Sequence, residues 1–203
     1  KQAFASEEVR WYFAIIFAAV AIIVYNTYGM YSSLSEALRH TFFQVGSVIT
    51  TTGYSTVNFD LWPEASKTVL LILMFVGACA GSTGGGIKVS RIMILIKSMG
   101  KEIKQYYHPR LVGKIRLEGQ IVEHEVVRNT NTYIVLYLLI FIASLLAISF
   151  DGKDFITNFS GVAATLNNIG PGLNLVGPTC NFSVFSPFSK LVLIFDMLAG
   201  RLE

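Results

Sequence analysis

The stretch Thr50-Thr51-Thr52-Gly53-Tyr54-Ser55-Thr56 interrupts an apolar chain with a run of hydroxyl side chains and one glycine. Three successive β-branched threonines disfavour a helix interior, and the glycine that follows them can leave ordinary backbone geometry. The chain has 203 residues, of which 53% are hydrophobic and 14% charged, whereas a soluble domain carries about 25% charged residues. The stretch is therefore a non-helical polar segment in a protein whose predicted solvent is a lipid bilayer.

Three long segments of the chain contain no Asp, Glu, Lys or Arg: Trp11–Ser35, Thr68–Ile87 and Asn129–Phe150. Each is close to the ~20 residues that a helix needs to cross the hydrocarbon core. A large soluble protein with buried helices is the alternative, but three uncharged segments in one short chain are difficult to bury. The sequence predicts an all-α, multi-pass membrane protein that is part of a longer polypeptide.

Basic residues concentrate in one segment, since nine of the 16 Lys and Arg lie between Lys88 and Arg128. The positive-inside rule places this segment in the cytoplasm. Nucleic-acid binding is not expected, because the basic residues flank membrane spans and accompany no recognition motif. Within the segment, Leu111–Val122 alternates partly around Glu118-Gly119 and predicts a small hairpin. The hairpin is either a docking surface for a cytosolic partner or a linker.

The chain contains an internal repeat. Lys67–Gly77 aligns without gaps with Lys190–Gly200, and Lys, Val, Leu, Met and Gly recur at matching positions. Each copy is preceded by a long apolar span, a short helix and a glycine-bearing polar loop. In the first copy these are Trp11–Tyr28, Leu34–Ile49 and Thr50–Ser55. In the second copy they are Thr132–Phe150, Asp154–Leu166 and Asn167–Gly172. The predicted domains are a first repeat at 1–100, a basic linker at 101–128 and a second repeat at 129–203. One cytoplasmic linker makes the repeats parallel, and parallel repeats around an axis can line a pore.

The polar loops have a chemistry that suits a cation. Non-helical backbone at membrane depth is tolerated only where protein buries it or water reaches it. Its carbonyl oxygens can replace the hydration shell of an ion, and the end of the preceding helix adds partial negative charge. Neither loop contains a charged side chain, which favours a monovalent ion over a divalent one. The alternative is an ordinary loop with Thr and Gly as caps and turn formers.

Two motifs carry a family resemblance: residues 50–56, TTTGYST, and residues 77–88, GACAGSTGGGIK. They resemble the membrane subunit of the Trk/Ktr/HKT superfamily of potassium transporters, most closely the bacterial Trk and Ktr subunits, and the ending at residues 197–203 looks like the family's last pore helix. The resemblance implies the C-terminal half of a pseudo-fourfold, potassium-channel-like pore, with the third and fourth of four repeats. It assigns the K⁺ filter to Thr51, Thr52, Gly53 and Tyr54 and to Asn168, Ile169, Gly170 and Pro171. The second loop departs from the Thr-Thr-Gly pattern, so the pore is expected to be asymmetric and its selectivity over sodium is open.

The glycine run Gly81, Ser82, Thr83, Gly84, Gly85 and Gly86 is expected to unwind the second span, because each glycine in a helix interior costs about 1 kcal/mol relative to alanine. A phosphate cradle does not fit, since Ile87 separates the run from Lys88 and no Ser or Thr follows the lysine. The resemblance implies a gate that lies under the filter. It also implies that Arg201 faces the pore near this gate as a barrier or anchor, whereas snorkelling at the helix end is the alternative.

The expected function is potassium uptake across the bacterial inner membrane, without enzyme chemistry and without an organic cofactor in this chain. The resemblance also implies a homodimer that docks a cytosolic nucleotide-binding ring. A symporter that couples K⁺ to H⁺ or Na⁺ is the main competing hypothesis, and Asp196 is the intramembrane acid that it would use. The simpler interpretations of Asp196 are a partner for Lys190 or Arg201 and a cavity-facing acid. A membrane enzyme that binds phosphate at the glycine run and a nontransporting scaffold are two further hypotheses.

Overall fold

The computed structural model of the protein describes residues 6–108 and 114–201. Within these ranges the chain forms seven α-helices and one two-stranded hairpin. The helices are α1 (Glu7–Thr27), α2 (Leu34–Ile49), α3 (Glu64–Phe75), α4 (Val89–Tyr107), α5 (His124–Ser149), α6 (Phe155–Leu166) and α7 (Pro187–Ala199), and the strands are β1 (Arg116–Leu117) and β2 (Gln120–Ile121).

Two helices are long and apolar enough to cross a membrane. The segments are Glu7–Met30, with a mean hydropathy of 1.9, and His124–Ser149, with 2.4. Only 22% of the most apolar window is buried in each, so both present outer faces to lipid or to further protein. The third uncharged segment, at residues 68–87, is not one helix, because α3 ends at Phe75 and the chain stays non-helical until Val89. The predicted unwinding at the glycine run is confirmed and extends to both sides of it.

The two short helices lie where the sequence predicted them. Helix α2 has 16 residues and α6 has 12, lengths of about 24 Å and 18 Å at 1.5 Å per residue. Neither length spans a hydrocarbon core of about 30 Å. Side-chain caps define their starts: Ser33 accepts a hydrogen bond from Glu36 N at 3.2 Å, and Asp154 accepts one from Thr157 N at 3.0 Å.

The buried core joins the two halves of the chain. Phe75 at the end of α3 packs against Phe141 of α5 and Phe159 of α6, with ring centroids 5.5 Å and 6.1 Å away. Helix α6 lies deepest, because every residue from Ser160 to Leu166 is buried. Helix α6 therefore lies inside the protein, whereas α2 and the loop that follows it are partly exposed, with Thr50, Thr52 and Tyr54 among the exposed residues.

The connection between the halves contains the predicted hairpin. Arg116 pairs with Ile121 and Leu117 with Gln120 in antiparallel register, and the turn residues Glu118 and Gly119 both have positive φ, at 52° and 79°. That combination is typical of a type I′ turn. The residues at 111–113 of the predicted hairpin segment lie outside the described ranges. Helix α4 continues past the predicted boundary at residue 100 and α5 begins before 129, so the connection is shorter than the expected linker.

Candidate ion pathway

The two polar loops, residues 50–55 and 167–172, begin with the same backbone conformation. Thr51 and Asn168 have φ of 54° and 55°, and Gly53 and Gly170 have φ of 77° and 113°. Positive φ is uncommon outside glycine and is costly for a β-branched residue such as threonine. Such strained positions concentrate at functional sites. The shared pattern therefore shows that the first and second polar loops have equivalent backbone conformations at these positions.

The backbone hydrogen bonds of the two polar loops are also equivalent. In the first polar loop, Thr52 N and Gly53 N both donate to Ser47 O, at 2.9 Å and 3.3 Å. The corresponding two amides of the second polar loop donate to Ala164 O, at 2.8 Å and 3.4 Å. The two loops share little sequence, so the backbone fold of this turn is what the repeat preserves.

The two polar loops lie side by side. A Cβ on Gly53 would be 2.0 Å from Ile169 O and 3.3 Å from Pro171 Cδ, and real Cβ atoms do not approach an oxygen so closely. Only glycine fits at residue 53, both for this contact and for its φ of 77°. The contact brings the backbones of the two loops together at these residues.

Most carbonyl oxygens of the two polar loops accept no hydrogen bond from the described residues. In residues 6–108 and 114–201, no hydrogen bond is donated to the carbonyl oxygens of Thr51, Thr52, Gly53, Asn168, Ile169 and Gly170. Tyr54 O differs, because it accepts from Ser47 Oγ at 2.5 Å. Of these residues Thr52 and Gly170 are exposed and Ile169 is buried, and an unpaired backbone oxygen inside a membrane protein is tolerated only where water or an ion reaches it. Each loop thus has neutral backbone oxygens that accept no hydrogen bond from the described residues.

Side chains of α2 hold the end of the first polar loop and the residue after it, Thr56. Polar residues at 40, 44 and 47 lie on one face of the helix, and each reaches a different loop residue. The three contacts are Ser47 Oγ to Tyr54 O at 2.5 Å, Gln44 Nε2 to Ser55 Oγ at 2.8 Å, and His40 Nδ1 to Thr56 Oγ1 at 3.1 Å. The roles of His40 and Gln44 are not among those expected from the sequence, although their helical spacing facing a hydroxyl-rich loop was a usable signal.

The second polar loop is held by α5 and α7 instead. Asn167 is fully buried, and its Oδ1 accepts from Tyr137 OH at 2.9 Å while its Nδ2 donates to Ala163 O at 2.7 Å. Asn168 Nδ2 donates to Met197 O at 3.2 Å. The asparagines that replace the threonines of the first loop therefore fix this loop to its neighbouring helices.

The glycine loop, residues 76–88, is the non-helical segment between α3 and α4. Its ends are closed by a parallel bridge between Val76 and Ile87. Gly77 N donates to Ile87 O at 2.9 Å, and Ile87 N donates to Phe75 O at 3.1 Å. The two ends of the glycine loop are therefore held next to each other.

The middle of the glycine loop lies against both polar loops. A Cβ on Gly85 would be 2.2 Å from Asn167 O, so the glycine is required by a close backbone approach. Gly85 N also donates to Thr51 Oγ1 at 3.3 Å. The loop thus contacts the start of each polar loop, where α2 and α6 end.

Two basic residues bind the backbone of the glycine loop. The Lys88 ammonium donates to Gly84 O at 2.6 Å, to Ser82 O at 2.9 Å and to Ser82 Oγ at 3.3 Å, and Lys88 is only 4% exposed. Arg201 Nη1 donates to Thr83 O. Arg201 thus lies next to the glycine run, as expected from the sequence. The contacts of Lys88 go beyond what the sequence predicted for it.

The whole of this architecture corresponds to a known family. A family model named TrkH and described as cation transport protein matches residues 4–203. The chain belongs to the TrkH family. Members are transporters rather than enzymes, so the expectation that this chain has no enzyme chemistry is confirmed, and the resemblance to Trk proteins is confirmed with it.

Relatives of this TrkH-family chain are named for potassium uptake. The Trk system potassium uptake protein TrkH of Escherichia coli K12 is 40% identical over 198 residues, which are 97% of this chain and 41% of the relative. The corresponding protein TrkG of the same organism is 34% identical over 198 residues, 97% of this chain and 40% of the relative. The chain thus spans about two fifths of the length of these relatives, a share consistent with the expectation of two repeats out of four.

A solved structure supports the same family at the level of the fold. The crystal structure of the potassium transporter TrkH from Vibrio parahaemolyticus superposes with a TM-score of 0.87 at 36% sequence identity, covering 98% of this chain and 42% of that one. The fold is therefore that of a helical membrane transporter, as the sequence predicted in outline.

Of the interpretations left open for Asp196 in this TrkH-family chain, an ion pair with Lys190 or Arg201 is not what the structure has. Asp196 pairs with neither Lys190 nor Arg201, whose cationic groups donate to Ser183 O and Thr83 O. Asp196 is fully buried in α7, and its Oδ1 accepts from Ser144 Oγ of α5 at 2.5 Å. Its Oδ2 has no hydrogen-bond partner within the described residues.

Proposed function

We propose that this chain supplies two of the four walls of a potassium-conducting pore, in a transporter that takes up K⁺ across the bacterial cytoplasmic membrane. The observation that carries the proposal is the pair of polar loops with matching backbones, unused carbonyl oxygens and direct contact at Gly53 and Ile169. The choice of K⁺ as the ion rests on the names of the relatives, which are potassium uptake proteins. Residues 129–203 and the part of the chain before the connection are the two pore repeats.

The filter in this proposal consists of Thr51–Tyr54 and Asn168–Pro171. The carbonyl oxygens of the first three residues in each set coordinate K⁺, and neutral dipoles of this kind replace its weakly held hydration shell. Tyr54 O is shared with Ser47 Oγ, so Tyr54 contributes more to the shape of the loop than to ion binding. Pro171 stiffens the second loop. Unlike side chains behind the two loops make the site asymmetric.

The gate in this proposal is the glycine loop with its run Gly81, Ser82, Thr83, Gly84, Gly85 and Gly86. It contacts the starts of both polar loops, so in this conformation it obstructs the path that leaves the filter. Lys88 and Arg201 stabilise this closed conformation by donating to its backbone oxygens. Displacement of the loop opens the pore, and the small size of glycine leaves room for the ion.

The membrane potential drives uptake without a chemical step in this chain. A cation that moves inward gains about 2.3 kcal/mol per charge for each 100 mV. The basic α4, the hairpin and the start of α5 lie on the cytoplasmic side in this arrangement. We assign to this surface the docking of a cytosolic nucleotide-binding ring, and to the complete protein a homodimeric state. The relatives' description as a Trk system accords with more than one component.

Reconstitution of the complete protein into proteoliposomes tests the proposal. With an inside-negative potential, we expect uptake of K⁺ that excess Rb⁺ suppresses more than excess Na⁺ does. Empty vesicles and a variant with the two polar loops replaced by Ala-Ser segments are the controls. Assembled protein without ion flux would contradict conduction and would favour a nontransporting scaffold.

A symport with H⁺ is the second candidate, because Asp196 is fully buried and one of its carboxylate oxygens has no partner within the described residues. A buried acid in a membrane helix is costly and is often functional. In that case K⁺ uptake would carry a proton and would depend on an imposed pH gradient. Uptake by Asp196→Asn protein under such a gradient distinguishes the two candidates.

A further inference from the structure

One carboxylate oxygen connects three elements next to the glycine loop. Glu8 lies in the first turn of α1, and its Oε1 accepts hydrogen bonds from Ala80 N at 2.7 Å and from Ser90 N at 3.0 Å. Ala80 belongs to the glycine loop and Ser90 to the first turn of α4. Helix α1 thus holds the loop and the start of the helix that follows the loop through the same atom.

The start of α4 has no anion of its own. Its N-cap residue is Lys88, no side chain caps the helix there, and the first turn contains no acidic residue. The first amides of a helix lack intrahelical partners and carry partial positive charge. Glu8 supplies the missing acceptor and the missing negative charge from another helix. Glu8 thus stabilises the start of α4 electrostatically.

The neighbouring acid of α1 binds the hairpin. Glu7 Oε1 forms an ion pair with Lys97 Nζ of α4 at 2.6 Å, and both side chains are half-buried. Glu7 Oε2 accepts from Glu118 N in the hairpin turn at 3.4 Å, and Lys97 Nζ also donates to Arg116 O at 2.9 Å. Two successive residues of one helical turn thus hold the hairpin and the glycine loop.

We propose that Glu8 is a positioning residue that keeps the glycine loop in its closed place, and that the pair Glu7 and Glu8 couples the hairpin to the loop. This inference rests on the proposed function, because it assigns regulation to the same gate. A helical turn is rigid, so a hairpin that leaves Glu7 shifts the end of α1 and breaks the bonds of Glu8 to the loop. A partner that binds the hairpin can then open the gate from a distance. In this coupling the glycine loop is the element with two states, one bound to Glu8 and one released from it.

Cys79 offers a readout that does not depend on ion conduction. It lies in the glycine loop next to Ala80 and is partly buried. In the complete protein with every other cysteine replaced by serine, the rate of maleimide labelling at Cys79 reports release of the loop. We expect Glu8→Ala to raise that rate about tenfold, the factor for one lost hydrogen bond to a charged acceptor. Glu8→Gln, which keeps an acceptor oxygen, should restore part of the protection.

Ion flux from the same variants completes the first test. Glu8→Ala should raise K⁺ flux through assembled protein and leave the K⁺ to Na⁺ ratio unchanged. Glu64→Ala is the matched control, since this acid also lies in the first turn of a helix but pairs with Lys67 away from the glycine loop. Unchanged labelling of Cys79 in Glu8→Ala would overturn the positioning role. Faster labelling without K⁺-selective flux in any variant would instead overturn the proposed function.

A double-mutant cycle tests the coupling. Glu7→Ala should raise Cys79 labelling when Glu8 is present and add little in the Glu8→Ala background, because both changes act through the same contact. Residues in one network show such non-additive effects, whereas independent sites add. Additive effects, or no effect of Glu7→Ala alone, would overturn the link between the hairpin and the loop.

Discussion

Lys88 offers the sharpest test of the closed glycine loop. Its ammonium donates three hydrogen bonds to the loop, of which the two to backbone oxygens are 2.6 Å and 2.9 Å long. Lys88→Met keeps an unbranched side chain of similar length and removes every donor. Because Lys88 is 4% exposed, water cannot readily replace the ammonium while the loop stays in place. The substitution therefore penalises the closed conformation more than an open one.

The magnitude follows from the two shorter bonds. Hydrogen bonds to charged groups contribute about 1.5 kcal/mol or more each, so the two together stabilise the closed loop by about 3 kcal/mol. A factor of ten corresponds to about 1.4 kcal/mol. The ratio of open to closed channels should thus rise about a hundredfold in Lys88→Met. A smaller rise would mean that the ammonium finds equivalent partners after the loop moves.

Single-channel recording in planar bilayers measures this ratio directly. Lys190→Met is the matched control, because within the described residues Lys190 donates a single long bond, 3.4 Å to Ser183 O, at the start of α7. We expect an increase in open probability for Lys88→Met alone, with unchanged conductance. An equal increase in Lys190→Met, or a lower open probability in assembled Lys88→Met protein, would refute the reasoning.

Contacts elsewhere in the protein lead to three more predictions. Shortening the run Gly81–Gly86 should raise K⁺ flux, because a shorter loop cannot reach Thr51; a fall in flux through assembled protein would remove the gate assignment. Asp196→Asn should leave K⁺ uptake and its response to an imposed pH gradient unchanged, whereas a pH response that disappears would establish proton coupling. The Ser186 amide donates to Asp151 Oδ2 at 2.8 Å and lowers the pKa of that carboxyl. The stabilisation is present above the unfolded value of about 3.9 and is lost as pH falls through the lower folded value. The melting temperature in detergent should therefore drop in this acidic range, and less so in Asp151→Asn.

The helices and the polar loops were predictable because short-range patterns determine them. The end of α2 at Ile49 follows from the threonines after it, and the N-cap of α6 follows from Asp154. The glycine run likewise predicts the break between α3 and α4. In each case the deciding residues are neighbours in the sequence, so local propensity and tertiary structure agree.

The contacts that hold the candidate gate were not predictable in the same way. Glu8 meets Ala80 and Ser90 across more than seventy residues of chain, and no periodicity links them. For Lys88 the sequence shows only a basic residue next to a glycine run, and a lysine at the membrane interface gives the same pattern. The partner of Asp196 was open for the same reason, since charge alone suggested a basic residue while helix packing supplies Ser144. Long-range polar contacts depend on how helices meet, and one sequence does not specify that.

The reversal potential of Gly53→Ser tests the central claim, that the two polar loops form a K⁺ filter. A Cβ at this position would lie 2.0 Å from Ile169 O, where an ordinary contact needs at least 3.4 Å, so the loops must separate by about 1.4 Å. The positive φ of Gly53 adds a strain of about 1–2 kcal/mol for a residue with a side chain. Gly46→Ser is the control, since Gly46 lies in α2 with nothing within 4 Å of its Cβ position. With K⁺ and Na⁺ on opposite sides of the membrane, the account predicts that the reversal potential shifts toward that of a non-selective pore in Gly53→Ser and stays at the wild-type value in Gly46→Ser. An unchanged reversal potential in conducting Gly53→Ser protein would contradict it.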